Sequence, residues 1–219
     1  MASIPVPYIG TGNNSQVVLG HYGVAQKSGA SVSIAALGIL GSIRWAPTVS
    51  SYFCVPMRIK AGWSVTAQIT TATPMDLAAI VHRQFTTDFT TASTAISMSG
   101  TAYTNQMRKS MAQSQMGANG PRICTTAVMS GNVSIADAAP FAATVWPGVV
   151  STNATGTVAT VVLGFAGNMQ TVYEWTALGQ HPLVLSNNEG VLLEEFTAGT
   201  TGGSVAWYFQ WEWGEALAF

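Results

Sequence analysis

Between Val205 and Trp213 large apolar side chains fall on every second residue. Val205, Trp207, Phe209, Trp211 and Trp213 alternate with Ala206, Tyr208, Gln210 and Glu212. Successive side chains of a strand point to opposite faces, so the segment predicts a strand with one buried aromatic face. Trp207, Phe209, Trp211 and Trp213 are the expected structural core. Just upstream, Leu183 to Leu185 and Val191 to Leu193 are apolar runs separated by Ser186, Asn187, Asn188, Glu189 and Gly190. Asn and Gly enter left-handed backbone conformations at low cost, so Asn187 to Gly190 reads as a reversal between two strands. A second reversal is expected at Gly199 to Gly203, which would make the C-terminal third a meander.

The same pattern of short β-branched and aromatic runs between Gly, Ser, Asn and Pro clusters extends through most of the chain. It predicts strands at Ser42 to Ala46, Tyr52 to Ile59, Ser64 to Thr71, Leu77 to Phe85, Ile123 to Met129, Thr157 to Phe165, Gln170 to Trp175, Leu183 to Leu185, Gly190 to Phe196 and Val205 to Trp213. Helical spacing is almost absent. Met107, Met111 and Gln115 are spaced for a helix, but Gly117, Asn119, Gly120 and Pro121 end it quickly, so Asn105 to Met116 reads as a loop with at most a short helix. The expected fold is all-β, an antiparallel two-sheet sandwich of jelly-roll type. Residues 1–41, with Pro5, Pro7, Gly10 and Gly12 followed by small apolar residues, read as an N-terminal arm docked on a neighbour or on its own domain. Residues 42–219 read as the sandwich.

Composition sharpens this picture at one point. Only 8% of the 219 residues are Asp, Glu, Lys or Arg, about a third of the usual share. Either the chain lies in a membrane or its surface is built from Ser, Thr, Asn, Gly and Ala and meets other subunits. The most apolar window, Ala30 to Ile43, is interrupted by Ser31, Ser33, Gly38 and Gly41 and is well short of the roughly 20 residues of a spanning helix. No membrane partner is expected. Met1 to Gly10 lacks a basic start and contains two prolines, so no secretory signal is expected either. A formal net charge of -1 gives no strong pull on nucleic acid, which leaves proteins as the expected partners. The basic residues Lys27, Arg44, Arg58, Lys60, Arg83, Arg108, Lys109 and Arg122 all precede Glu174, Glu189, Glu194, Glu195, Glu212 and Glu215. Early and late strands could therefore pair through charge, or these groups simply solvate loops.

Candidate chemistry is sparse. There is no Gly-x-Ser-x-Gly elbow, phosphate loop or dinucleotide fingerprint. His21, His82 and His181 have no metal-ligand spacing and read as structural hydrogen bonders. Glu194 and Glu195 face opposite sides of a strand and cannot act together as a glycosidase pair. Either one, next to Glu189 or Asp137, would suit calcium, but a turn carboxylate capping backbone amides is the favoured role of Glu189. Cys54 and Cys124 fit two buried free thiols or a single disulfide. Trp45, Trp63, Trp146 and Trp175 are candidates for a sugar-binding platform, against the more common role of core or subunit interface. No catalytic residue, cofactor or bound metal is expected, and the chain reads as non-enzymatic.

From about Ser42 to Glu215 the sequence resembles small virion proteins of tailed bacteriophages, of the capsid-associated or decoration type. The resemblance is carried by His181-Pro182-Leu183-Val184-Leu185-Ser186-Asn187-Asn188-Glu189-Gly190-Val191 and by Phe209-Gln210-Trp211-Glu212-Trp213-Gly214-Glu215. Fainter echoes are Val81 to Phe85, Asn105 to Met111 and Arg122 to Ala127. It implies a jelly-roll-like fold and a self-associating subunit at the virion capsid surface. Such a subunit would act as decoration, cement or knob, with copies of itself (a trimer being one arrangement) and major capsid or other virion proteins as partners. The stretch to Gly41 and the Ala216-Leu217-Ala218-Phe219 tail depart from the pattern. No long spine helix is predicted, which argues against the major shell protein. The competing expectation is a receptor- or carbohydrate-binding module of a fibre or cell surface.

Overall fold

In a computed structural model, residues 18–29, 32–33, 38–47, 49–67, 73–96, 98, 114–116, 120–149, 169–175, 181–198 and 203–216 are described. Among them there is no helix. The strands are β1 (Val18–Lys27), β2 (Val32–Ser33), β3 (Gly38–Trp45), β4 (Phe53–Ala67), β5 (Thr73–Thr87), β6 (Ser93–Ala95), β7 (Arg122–Cys124), β8 (Val133–Ala136), β9 (Ala142–Val149), β10 (Gln170–Glu174), β11 (Glu189–Glu195) and β12 (Ser204–Ala216). They form two sheets, with all pairings antiparallel. The first runs β1-β12-β4-β10, with β2 beside the start of β12. The second runs β6-β7-β3-β11-β5-β8, with β9 next to β8 along the same side of β5. The fold is a β-sandwich.

The aromatic strand is central because its alternating face has a partner layer. Val205, Trp207, Phe209, Trp211 and Trp213 are all buried, joined by Trp45, Trp63 and Trp146 from β3, β4 and β9. Trp207 stacks on Phe209 at 6.0 Å and meets Trp146 edge-on at 6.0 Å. Burial of side chains this large contributes roughly 1.5 to 3 kcal/mol each, which makes this face the main source of cohesion. Across the gap, Gly41 of β3 faces these rings. A Cβ there would lie 2.7 Å from Phe209 and 3.3 Å from Trp211, so the missing side chain sets how closely the sheets approach.

Several elements differ from the sequence expectation, each for a tertiary reason. The strands expected at Tyr52 to Ile59 and from Ser64 onward are one strand, β4, as far as Ala67, and residues 68–71 of the second expectation lie outside the described residues. Ala61, Gly62 and Trp63 stay in ladder with Phe209, Tyr208 and Trp207, so Gly62 is a gap in the side-chain pattern and no turn. Val18–Lys27, within the stretch read as an arm, pairs along β12 from Lys27↔Tyr208 to Val18↔Ala216. The sandwich therefore takes in residues well before Ser42. Ile123 to Met129 shrinks to the three residues of β7. The strands β8 and β9 were not expected, since their outward positions are as apolar as their inward ones. The segments Thr157 to Phe165 and Asn105 to Gln113, and most of the reversal at Gly199 to Gly203, lie outside the described residues.

The expected C-terminal meander is not formed. β10 and β12 belong to one sheet and β11 to the other, lying between β3 and β5. Leu185 bridges to Cys54 in β4 through reciprocal backbone bonds of 3.0 and 2.7 Å. Four residues later β11 begins in the opposite sheet. Asn187 to Gly190 is thus a corner between sheets. Val191, Leu192 and Leu193 are all fully buried, and a strand apolar on both faces gains most from a central position in a packed layer.

Candidate functional site

The corner is fixed from three directions. Asn188 adopts a φ of 62°, a left-handed conformation that Asn tolerates better than most side chains. Its N–H donates to the Trp45 carbonyl at 2.8 Å, and its own carbonyl accepts from the Phe85 N–H at 2.7 Å. The Ser186 N–H donates to the Glu189 carboxylate at 2.8 Å, the capping role expected for Glu189, whose other oxygen accepts from Arg83 at 2.6 Å. Arg83 also binds both oxygens of Asp137, at 2.8 and 3.1 Å. Gly190 sits where a Cβ would lie 2.5 Å from the Ile43 carbonyl oxygen. The arrangement ties three strands together with every charge answered, so it is structural.

Two buried carboxylates stand apart. Glu215 accepts from the Ser114 hydroxyl (2.5 Å), the Gln115 N–H (2.9 Å) and the Trp213 indole N–H (3.0 Å). Burial still raises its pKa against those bonds. Glu195 is 3% exposed and neither of its oxygens has a hydrogen-bond partner. Burial, with the nearby Asp76 charge, pushes its pKa up to about 8. Asp76 accepts from the Phe196 and Thr197 N–H groups at 3.0 and 2.9 Å. The carboxylates considered for calcium are not brought together: Glu189 and Asp137 share Arg83, Glu194 lies beside His82, and Glu195 lies beside Asp76. Among the described residues no group of three or more His, Cys, Asp or Glu is placed to hold a metal ion.

His82 links strands. Its Nδ1 lies 2.8 Å from the Ser134 hydroxyl on β8, and its Nε2 is 3.5 Å from Glu194 on β11. Early and late charges do meet within one chain: Arg58 contacts Glu174 and Glu212, and Arg83 contacts Glu189. Cys54 and Cys124 are both free and buried, which excludes the disulfide. Burial raises both thiol pKa values, that of Cys124 to about 12. Of the tryptophans considered for a sugar platform, Trp45, Trp63 and Trp146 are fully buried in the core. Their rings are inaccessible to a ligand.

What the sequence did not single out is one edge of the second sheet. Val133 and Ile135 of β8 are 56% and 57% exposed, Val145 of β9 is 61% exposed, and Phe141 just before β9 is also exposed. Both strands pair with β5 on one side, and no strand pairs with their other side among the described residues. Neither strand contains a charged residue, the usual device for blunting an open edge. Pro147 interrupts the donors of β9 only near its end. The sequence shows these as small apolar runs, and only strand pairing reveals which of them face solvent.

No protein-family model, curated protein or solved structure matches the chain. The class established for it is the antiparallel two-sheet β-sandwich.

Proposed function

We propose that this chain is a structural virion subunit that self-associates and binds the phage head surface as a decoration, cement or knob protein. The observation that carries the reading is the uncharged, apolar edge formed by Val133, Ile135, Phe141 and Val145. Apolar side chains grouped on an open strand edge lose water contact when a second chain covers them, and unpaired backbone groups there can extend the sheet. The sparse surface charge agrees with a subunit whose faces meet copies of itself. The virion setting comes from the resemblance around Asn187 to Gly190 and Phe209 to Glu215.

Mass photometry of the purified chain, combined with co-sedimentation on purified heads lacking it, tests the reading. Oligomers that fall apart in an Ile135→Lys, Val145→Lys double variant, together with saturable binding to heads, are expected. A stable monomer that does not bind heads would end the proposal.

A further inference from the structure

The outer strands of the two sheets differ as surfaces for pairing. β1 carries His21 and Lys27, and β10 ends on Glu174, which lies 3.8 Å from Arg58. β2 and β6 have only two and three residues. There remains the side of β8 and β9, where neither strand holds a charge. The one acid between them, Asp137, is taken up by Arg83 of the same chain. The first sheet comes up against β9: the Thr144 hydroxyl donates to Gln170 of β10 at 2.8 Å, and Phe141 meets Tyr173 edge-on at 5.2 Å. Pro147 also removes a donor there. β8 is the uncharged stretch that stands clear.

The register of β8 on β5 fixes which backbone groups it turns outward. Asp137 donates its N–H to the Val81 carbonyl, and the ladder continues as His82↔Ala136 and Arg83↔Ile135. Residues of an antiparallel strand turn their N–H and C=O to one neighbour and then the other in alternation. Asp137 and Ile135 therefore face β5, while Ala136 and Ser134 turn theirs to the open side. The Ser134 hydroxyl is engaged at 2.8 Å with His82, on the face away from Val133 and Ile135. Its backbone donor and acceptor point to where a further strand would lie.

We propose that the further strand is β8 of a second copy, running antiparallel about a twofold axis at Ser134, an inference that rests on the assembly reading of the same edge. An uncharged edge excludes a partner strand with charges, which would be buried unpaired, and among this chain's own outer strands of more than three residues only this side qualifies. Parallel pairing slants its bonds in one sense and is not superposed on itself by a twofold rotation, so an edge meeting its own copy runs antiparallel. With the axis at Ser134, the two Ser134 residues exchange both backbone bonds. Val133 then lies opposite the second copy's Ile135, and Ile135 opposite its Val133, so both exposed apolar side chains gain a partner. The second sheets of the two copies become one. Strands of four residues bury little area, so the free dimer is of the weak class, and copies held side by side on a surface meet at a high effective concentration.

Sedimentation equilibrium of the full chain from micromolar to near-millimolar concentration, with cysteine trapping, tests this. A mass of two chains is expected at the upper end. Ile135→Lys is expected to weaken the dimer about tenfold or more, and Val145→Lys to leave it. Ser134→Pro removes the outward donor and is expected to abolish it, while Ser134→Ala, which loses only the hydroxyl, retains it; thermal midpoints confirm that each variant folds. For trapping, Val133→Cys and Ile135→Cys proteins are mixed under a mild oxidant. Facing positions lie about 4.5 Å apart at Cα, within disulfide reach, whereas each position and its own copy are about 7–8 Å apart. A crosslink is therefore expected in the mixture and not in either protein alone, Cys54 and Cys124 being buried. Oligomers that lack the mixed crosslink, or rings of three or more chains, would overturn the twofold pairing and leave the assembly reading standing. A monomer that binds heads through β8 would place a foreign strand there and also overturn it. A monomer that binds no heads would end both.

Discussion

Replacing Glu195 by Gln isolates the energetic cost of a buried carboxylate. Glu195 is 3% exposed with both oxygens unpartnered, and its pKa lies at about 8 against an ordinary 4.5. The displacement is 3.5 pH units (8 minus 4.5), which at about 1.4 kcal/mol each amounts to roughly 5 kcal/mol. The sign follows from which state holds the proton. Between pH 4.5 and 8 the folded chain keeps Glu195 protonated while the unfolded chain has released the proton. Stability attributable to this group is therefore full below 4.5, falls as pH rises, and is exhausted above about 8. Gln has the same shape and cannot ionise. Urea unfolding of both proteins at a series of pH values across this window measures the effect as a difference, which cancels contributions from Glu215 and other groups. The variant is expected to gain on the parent steadily with pH, by several kcal/mol at the alkaline end. Two stability curves that stay parallel would refute the reasoning, because a constant offset means that Glu195 does not carry a perturbed proton.

Trp211→Ala is expected to cost about 3 to 5 kcal/mol in urea unfolding, since it empties a fully buried indole site between the sheets. Gly190→Ala forces a Cβ against the Ile43 carbonyl oxygen at 2.5 Å. A loss of about 1 to 3 kcal/mol is expected, read as a lowered thermal midpoint; an unchanged midpoint would show that the corner can shift. Cys54 and Cys124 are buried with raised pKa values. Neither is expected to react with a thiol reagent at neutral pH in the native protein, and both should titrate in denaturant.

The alternation of Val205 to Trp213 made β12 legible as a strand with a buried aromatic face, because that signal lies between neighbours in sequence and depends on no partner. The same holds for the reversal at Asn187 to Gly190, where Asn188 takes the left-handed backbone and Gly190 leaves room for the Ile43 carbonyl. All-β class and the sandwich followed from repeating this local pattern. Pairing is a matter of distant contacts, and there the sequence was silent. Only the tertiary structure decided that the reversal crosses between sheets, that Val18–Lys27 lies along β12, and that Gly62 sits inside one long strand. It also decided that Trp45, Trp63 and Trp146 are core while Val133, Ile135 and Val145 face water. An apolar residue carries the same label in either place; what separates them is whether another strand or sheet arrives to cover it.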